Sequence, residues 1–278
     1  MNQKRNLVVS ALILGGFFSS HALVVQSITH EASNGAVAEA AVTATKKQVL
    51  VPNFSAISNI KERKTAFFDF LGPLVEKENQ RIAELRANLD DMSTEQLIAL
   101  SSEYDLPQEQ KADLVTSLKS RIDEIPPSLV MAQAAIESAW GTSRFAQEGN
   151  NLFGEWCFTP GCGIVPKARP ANKHHEVRRF DSPEHSVRSY MQNLNSHNAY
   201  DLLRIQRADQ RARQSALNGC YLATGLQSYS QKGLGYVEMV KTFIRSNRLE
   251  ENRKDCAPTV IAEPDSAPAT ESTTNESA

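Results

Sequence analysis

The sequence predicts a mainly helical protein of the α+β class with a small β-lobe. Three observations carry this. Apolar residues recur at helical spacing over 57–92, 111–123 and 126–140. A segment rich in Gly, Pro, Cys and aromatics, 151–181, then interrupts the helices, and helical patterns resume from Ser182 to about 248. The chain has 278 residues, more than the roughly 100–200 of one typical domain, so a folded body with accessory parts is expected. Its 41% hydrophobic and 22% charged residues are ordinary for a globular protein. The net charge of −2 hides an asymmetry: Lys61–Glu124 holds nine Lys/Arg against fourteen Asp/Glu, and Pro166–Arg213 holds ten against five. The second stretch suits an anionic partner; two ordinarily solvated surfaces account for it equally well.

Taken in order, the chain begins with Lys4 and Arg5, an apolar run Leu7–Phe18 and Ser20-His21-Ala22, which has the small-x-small form of a cleavage site. Residues 1–22 therefore read as a signal peptide. The run is short of the about 20 residues a membrane span needs, and an uncleaved N-terminal anchor is the alternative. Residues 23–56 read as a linker. Residues 57–125 form a helical accessory region in which Phe67, Phe68, Leu71 and Val75 share helical spacing and Pro73 is expected to bend or divide the segment. Ser93-Thr-Glu-Gln96 has the form of a capping box, and Leu114, Val115, Leu118 and Ile122 mark a further amphipathic helix.

Pro126-Pro127 opens the next helix, the first of a domain spanning 126–250. It carries one carboxylate, Glu137, among Ala134, Ala135, Ile136 and Ala139, with Trp140 beyond it and Gly141 to stop it. Apolar neighbours oppose ionisation, so such a carboxyl holds a proton near neutral pH, as a general acid must. A salt bridge to Arg144 is the structural alternative. In 151–181 a β-hairpin is expected around Glu176–Phe180. Cys157 and Cys162 enclose Phe-Thr-Pro-Gly, whose turn favours a disulfide; zinc binding with His174 and His175 matches no specific spacing. Cys220–Cys256 is the second possible bridge. The arginines 204, 207, 211 and 213 read as a solvated helix face, and residues 251–278 as a disordered tail poor in large apolar groups.

The runs Ala132–Gly141, Ser143 and Asn150–Gly154, the block Phe180–Val187 with Tyr190, and the tyrosines Tyr229 and Tyr236 together resemble the bacterial N-acetylglucosaminidase family of flagellar wall hydrolases and autolysins. The whole chain resembles the Bax-type exported proteins of bacteria. The resemblance implies a lysozyme-like fold that cleaves the glycan strands of peptidoglycan at β-1,4 N-acetylglucosaminyl bonds, with Glu137 as general acid. It also implies a second glutamate in the β-lobe: Glu176 is the first candidate and Glu155 the second, and catalysis assisted by the substrate's own acetamido group is the alternative. Tyr229 would stabilise the reacting centre, while Trp140, Asn151, Phe153, Gly154 and Tyr236 would shape the sugar site. A lytic transglycosylase and a non-catalytic wall-binding scaffold are the rival functions. The expected partner is peptidoglycan, met by a monomer in the periplasm or cell envelope, with no nucleic acid, at most peripheral membrane contact, no cofactor and no metal.

Overall fold

The computed structural model describes residues 50–107, 110–252 and 254–257. The expected signal peptide, residues 23–49 of the linker and the tail from 258 lie outside the described residues. Within them the fold is mainly helical with a small β-lobe, as expected, and consists of nine helices and a three-stranded sheet.

Helix α1 (Ile60–Ala87) starts at Asn59, whose side chain accepts hydrogen bonds from the N–H groups of Lys61 and Glu62. It stays one continuous helix through Pro73, against the expected break. Its buried stripe Phe67, Leu71, Val75, Glu78, Ile82 recurs every three to four residues, and Pro73 lies on the opposite, exposed face. The N–H that proline lacks is therefore lost where water serves the unpaired carbonyl. The reading of 51–56 as linker also needs correction: Val51 and Phe54 are buried, and the Phe54 ring packs edge-on against Phe67 and Phe70.

Helices α2 (Thr94–Glu103) and α3 (Lys111–Arg121) pack together, and α2 is opened by the capping box at Ser93 and Gln96. Helix α4 (Pro127–Ser138) lies at the centre, against α1, α8 (Gly219–Ala223) and α9 (Leu234–Ser246). Its position accounts for its neutral, apolar sequence, since most of its faces are covered. The shorter α5 (Arg144–Gly149) leads to the β-lobe, and α6 (Pro183–Ser196) and α7 (Asp201–Ala212) follow it. One hydrophobic core joins Phe67 and Leu71 to Leu129, Tyr190 and Ile244, so packing shows no break at 125/126.

In the β-lobe, β1 (Trp156–Cys157), β2 (Gly163–Ile164) and β3 (Glu176–Arg178) pair antiparallel in the order β1-β3-β2. The expected hairpin at 176–180 is thus replaced by a central strand flanked on both sides. Disulfides join Cys157 to Cys162 and Cys220 to Cys256. The second bridge ties Cys256 to α8, so 254–257 belong to the folded body rather than to a free tail; Arg245 also donates to the carbonyl of Cys256.

The arginines of α7 are not a uniformly solvated face. Arg207 is 1% exposed and donates to the carbonyls of Arg121 and Asp123 and to Asn195 Oδ1. Burial lowers its pKa to about 10, which leaves it charged at neutral pH. Arg204 is buried too, on the carbonyls of Leu194 and His197, whereas Arg211 and Arg213 remain at the surface. A helical period marks a face; it does not say whether carbonyl ends of neighbouring helices wait behind it.

Candidate active site

Glu137 occupies the last turn of α4, which stops one residue later. Ser138 organises the exit: its hydroxyl donates to the carbonyl of Ala134 and accepts the N–H of Gly141. Ala139, Trp140 and Gly141 follow with φ of 51°, 61° and 72°. Left-handed backbone at two non-glycine residues costs on the order of 1 kcal/mol each and persists only where packing holds it. The holding contacts are visible. Trp140 packs edge-on against Phe67 and Phe68 and lies against Phe243, under the ammonium of Lys64. A Cβ on Gly141 would stand 2.6 Å from the Phe54 ring, so only glycine fits there. Trp140 is therefore placed in the interior packing and not at the sugar site expected of it.

A cleft of about 980 Å³ opens beside Glu137, lined among others by Phe153, Gly154, Glu155, Tyr229 and Lys232. Three buried side chains stand behind the Glu137 carboxylate in a directed series. Tyr190 donates its hydroxyl to Gln133 Oε1. Gln133 Nε2 donates to the Tyr236 hydroxyl at 2.9 Å, and Tyr236 donates to Glu137 Oε1 at 2.7 Å. Each link donates in one direction, so Oε1 acts as an acceptor and a proton on Glu137 sits on Oε2. No side chain among the described residues donates to Oε2. Gly154 faces it, where even a Cβ would stop 3.7 Å away. Burial raises the Glu137 pKa above the ordinary carboxylate value, against the opposing pull of the Tyr236 hydrogen bond and the charge of Lys232. Arg144 is elsewhere, on Glu148 and the carbonyl of Val165, which removes the salt-bridge alternative for Glu137.

The two β-lobe glutamates part company. Glu176 does not line the cleft. Its carboxylate accepts the N–H of Gly161 on one oxygen and that of Gly163 on the other, and those two hydrogen bonds hold its pKa below the usual value. Glu155 does line the cleft, with its side chain only 17% exposed. Burial pushes its pKa up to about 7, outweighing a hydrogen bond from the Ser189 hydroxyl at 2.8 Å and the nearby charge of Arg178. Its Oε1 is buried with no hydrogen-bond partner. One oxygen of a cleft-lining carboxylate is thus without a donor among the described residues.

The other expected site residues divide as well. Phe153 is stacked on Tyr190 at 3.9 Å and, with Gly154, lines the cleft. Tyr229 lines it too, but its hydroxyl donates to the carbonyl of Phe153 while its ring stacks on Tyr236. Asn151 is 1% exposed and fully engaged: it donates to the carbonyls of Glu155 and Arg178 and accepts from the N–H groups of Phe153 and Glu155. It builds the wall that carries Glu155 and offers no amide to a sugar. Polar side chains that reach the cleft come instead from α6 and the loop before α9, as Gln192, Asn193 and Gln231, which carried no sequence signal beyond their polarity. The cysteines of the lobe are consumed in their bridge, and the His175 ring stacks on Trp156, so the sulfurs offer no thiolate pair to a metal.

Known proteins resemble parts of this chain. A family model described as glucosaminidase, mannosyl-glycoprotein endo-beta-N-acetylglucosaminidase, matches residues 114–249. Protein bax of Escherichia coli (strain K12) is 36% identical over 132 residues, which are 48% of this chain and 46% of that protein, so the match spans about half of its length. The crystal structure of the catalytic domain of the autolysin Auto from Listeria monocytogenes is 19% identical, with a TM-score of 0.38, over 70% of this chain and 90% of that one. The segment 114–249 that is similar to the glucosaminidase family, just under half of the chain, includes both cleft glutamates and the tyrosine series.

Proposed function

We propose that the chain is a glycoside hydrolase that cuts β-1,4 N-acetylglucosaminyl bonds in peptidoglycan strands, with Glu137 as general acid and Glu155 as its carboxylate partner. The observation that carries the reading is the Glu137 carboxyl itself: one oxygen is fixed by Tyr236, and the side chain lines a cleft of about 980 Å³. Glu137 Oε2 gives its proton to the glycosidic oxygen as the bond to the anomeric carbon breaks, and the leaving sugar departs as an alcohol. Positive charge developing on the sugar is met by the carboxylate of Glu155 or by the acetamido oxygen of the substrate. Water then adds to the anomeric carbon and its proton returns to Glu137. Glu155 takes the place expected for Glu176, whose oxygens are committed to backbone N–H groups.

A second reading exchanges the two roles, and a specific observation favours it: Glu155, at about 7, is held protonated further toward neutral pH than an ordinary carboxyl. Against it stands the geometry, since Oε2 of Glu155 is taken by Ser189 and Oε1 is buried.

Two disulfides suit an oxidising compartment, and no described helix is long and apolar enough to cross a membrane. The disulfides support the reading of an exported wall enzyme. The test is digestion of purified peptidoglycan by the protein and by Glu137→Gln, with fragments identified by mass spectrometry. New reducing N-acetylglucosamine ends from the parent and none from the variant are expected. Anhydro-muramic ends would make the enzyme a lytic transglycosylase, and absence of any new ends would leave a wall-binding scaffold.

A further inference from the structure

We propose that Trp156 is a stacking platform for a sugar ring of the same glycan strand beyond the bond being cut, and that Glu176 and the Cys157–Cys162 bridge position it. The inference rests on the cleft reading above and adds a subsite to it.

The chain has two tryptophans, in opposite settings. Trp140 is clasped by Phe67, Phe68 and Phe243. Trp156 is 57% exposed and lines the cleft beside Glu155. An indole so placed exposes a large apolar surface that core packing does not use. Its ring is supported from one side by the parallel His175 ring, with centroids 4.1 Å apart. A pyranose has a face of C–H groups that lies flat on such a ring while its hydroxyls reach polar neighbours. Arg178 and Gln192, on the same cleft, supply those.

Strand β1 contains only two residues, too few to hold Trp156 by backbone pairing alone. Two fastenings supply the rest. Cys157, directly after Trp156, closes a loop to Cys162, and Glu176, its partner in register, binds the N–H groups of Gly161 and Gly163 inside or beside that loop. The fastening explains a polar residue that the reaction does not use, and it makes Glu176 a positioning residue for binding.

The probes are N-acetylglucosamine oligomers of two and six sugars, added to Glu137→Gln protein so that binding is seen without turnover. Calorimetry should show the hexamer bound more tightly than the dimer. Trp156→Ala should weaken hexamer binding by about five- to tenfold with little change for the dimer, and Trp156→Phe, which keeps a ring, should recover most of the loss. Glu176→Gln, and reduction of the lobe bridge, should weaken the hexamer in the same sense but less. Trp156 should dominate any fluorescence change on binding. Equal hexamer affinity in parent and Trp156→Ala, or no hexamer binding by the parent, would overturn the proposal. Trp156-dependent binding by a protein that never cuts glycan would leave the platform standing and sink the catalytic reading instead; cutting without Trp156 dependence would do the reverse.

Discussion

Glu155 and Glu176 both belong to the β-lobe, yet the fold treats them oppositely. Glu176 meets two backbone N–H groups and is kept ionised, as a fastening of a loop. Glu155 meets one hydroxyl and a buried edge with no donor, and is pushed toward protonation. Both carboxyls lie among loops and two- or three-residue strands, so what separates them is the burial of the Glu155 carboxyl and the donors supplied to Glu176, not the local sequence. One glutamate stabilises its surroundings; the other is held at some cost on the wall of the cleft.

The strongest way to sharpen the contrast is to add the third glutamate. Glu137→Gln keeps the Tyr236 contact but removes the proton, and activity on peptidoglycan should fall by about 10²–10⁴, with a melting temperature close to that of the parent. Glu155→Gln should also cost activity, about 10²-fold or more, yet it should stabilise the fold at alkaline pH. The sign follows from linkage. The folded pKa of Glu155, about 7, lies above the ordinary carboxylate value, so between the two the native state binds the extra proton. Its ionisation therefore costs stability above about pH 7, and the cost fades as pH falls toward the ordinary carboxylate value. Denaturation at pH 8 and pH 4 should show Glu155→Gln more stable than the parent by on the order of 2–3 kcal/mol at the higher pH and about equal at the lower.

A smaller effect is expected at Tyr236. Tyr236→Phe removes the hydrogen bond that favours the Glu137 carboxylate, so the Glu137 pKa should rise further. Activity should drop by about 10–100-fold, and the alkaline limb of the kcat/KM profile should move to higher pH. An unmoved limb would assign that limb to another group. The smallest effect on chemistry belongs to Glu176→Gln. Amide exchange at Gly161 and Gly163 should quicken, while cleavage of short substrates stays near the parent rate; a loss as deep as that of Glu155→Gln would erase the distinction between the two residues.

Much of this was legible in the sequence where the cause is local. The capping box at Ser93 and Gln96 predicts α2, and the apolar run around Glu137 predicts both a buried helix and an acid resistant to ionisation. Where the cause is a distant contact, the sequence misleads. Pro73 reads as a break until the exposed face it occupies is seen. Arg207 reads as solvated, although carbonyls of Arg121 and Asp123 receive it. Trp140 reads as a sugar platform because it follows Glu137, but three phenylalanines from α1 and α9 claim it. Glu155 is marked only by Ser189 and by Asn151, which reach it from α6 and from the preceding loop.

Leaving-group dependence tests the division of labour between Glu137 and Glu155 most directly. N-acetylglucosamine oligomers carrying either a sugar or a nitrophenolate leaving group would be given to the parent, Glu137→Gln and Glu155→Gln, with azide added to each. A nitrophenolate needs no protonation to depart, so it should restore much of the rate of Glu137→Gln and little of that of Glu155→Gln. If instead Glu155→Gln is the variant rescued by the better leaving group, Glu155 is the acid and the assignment made here is reversed.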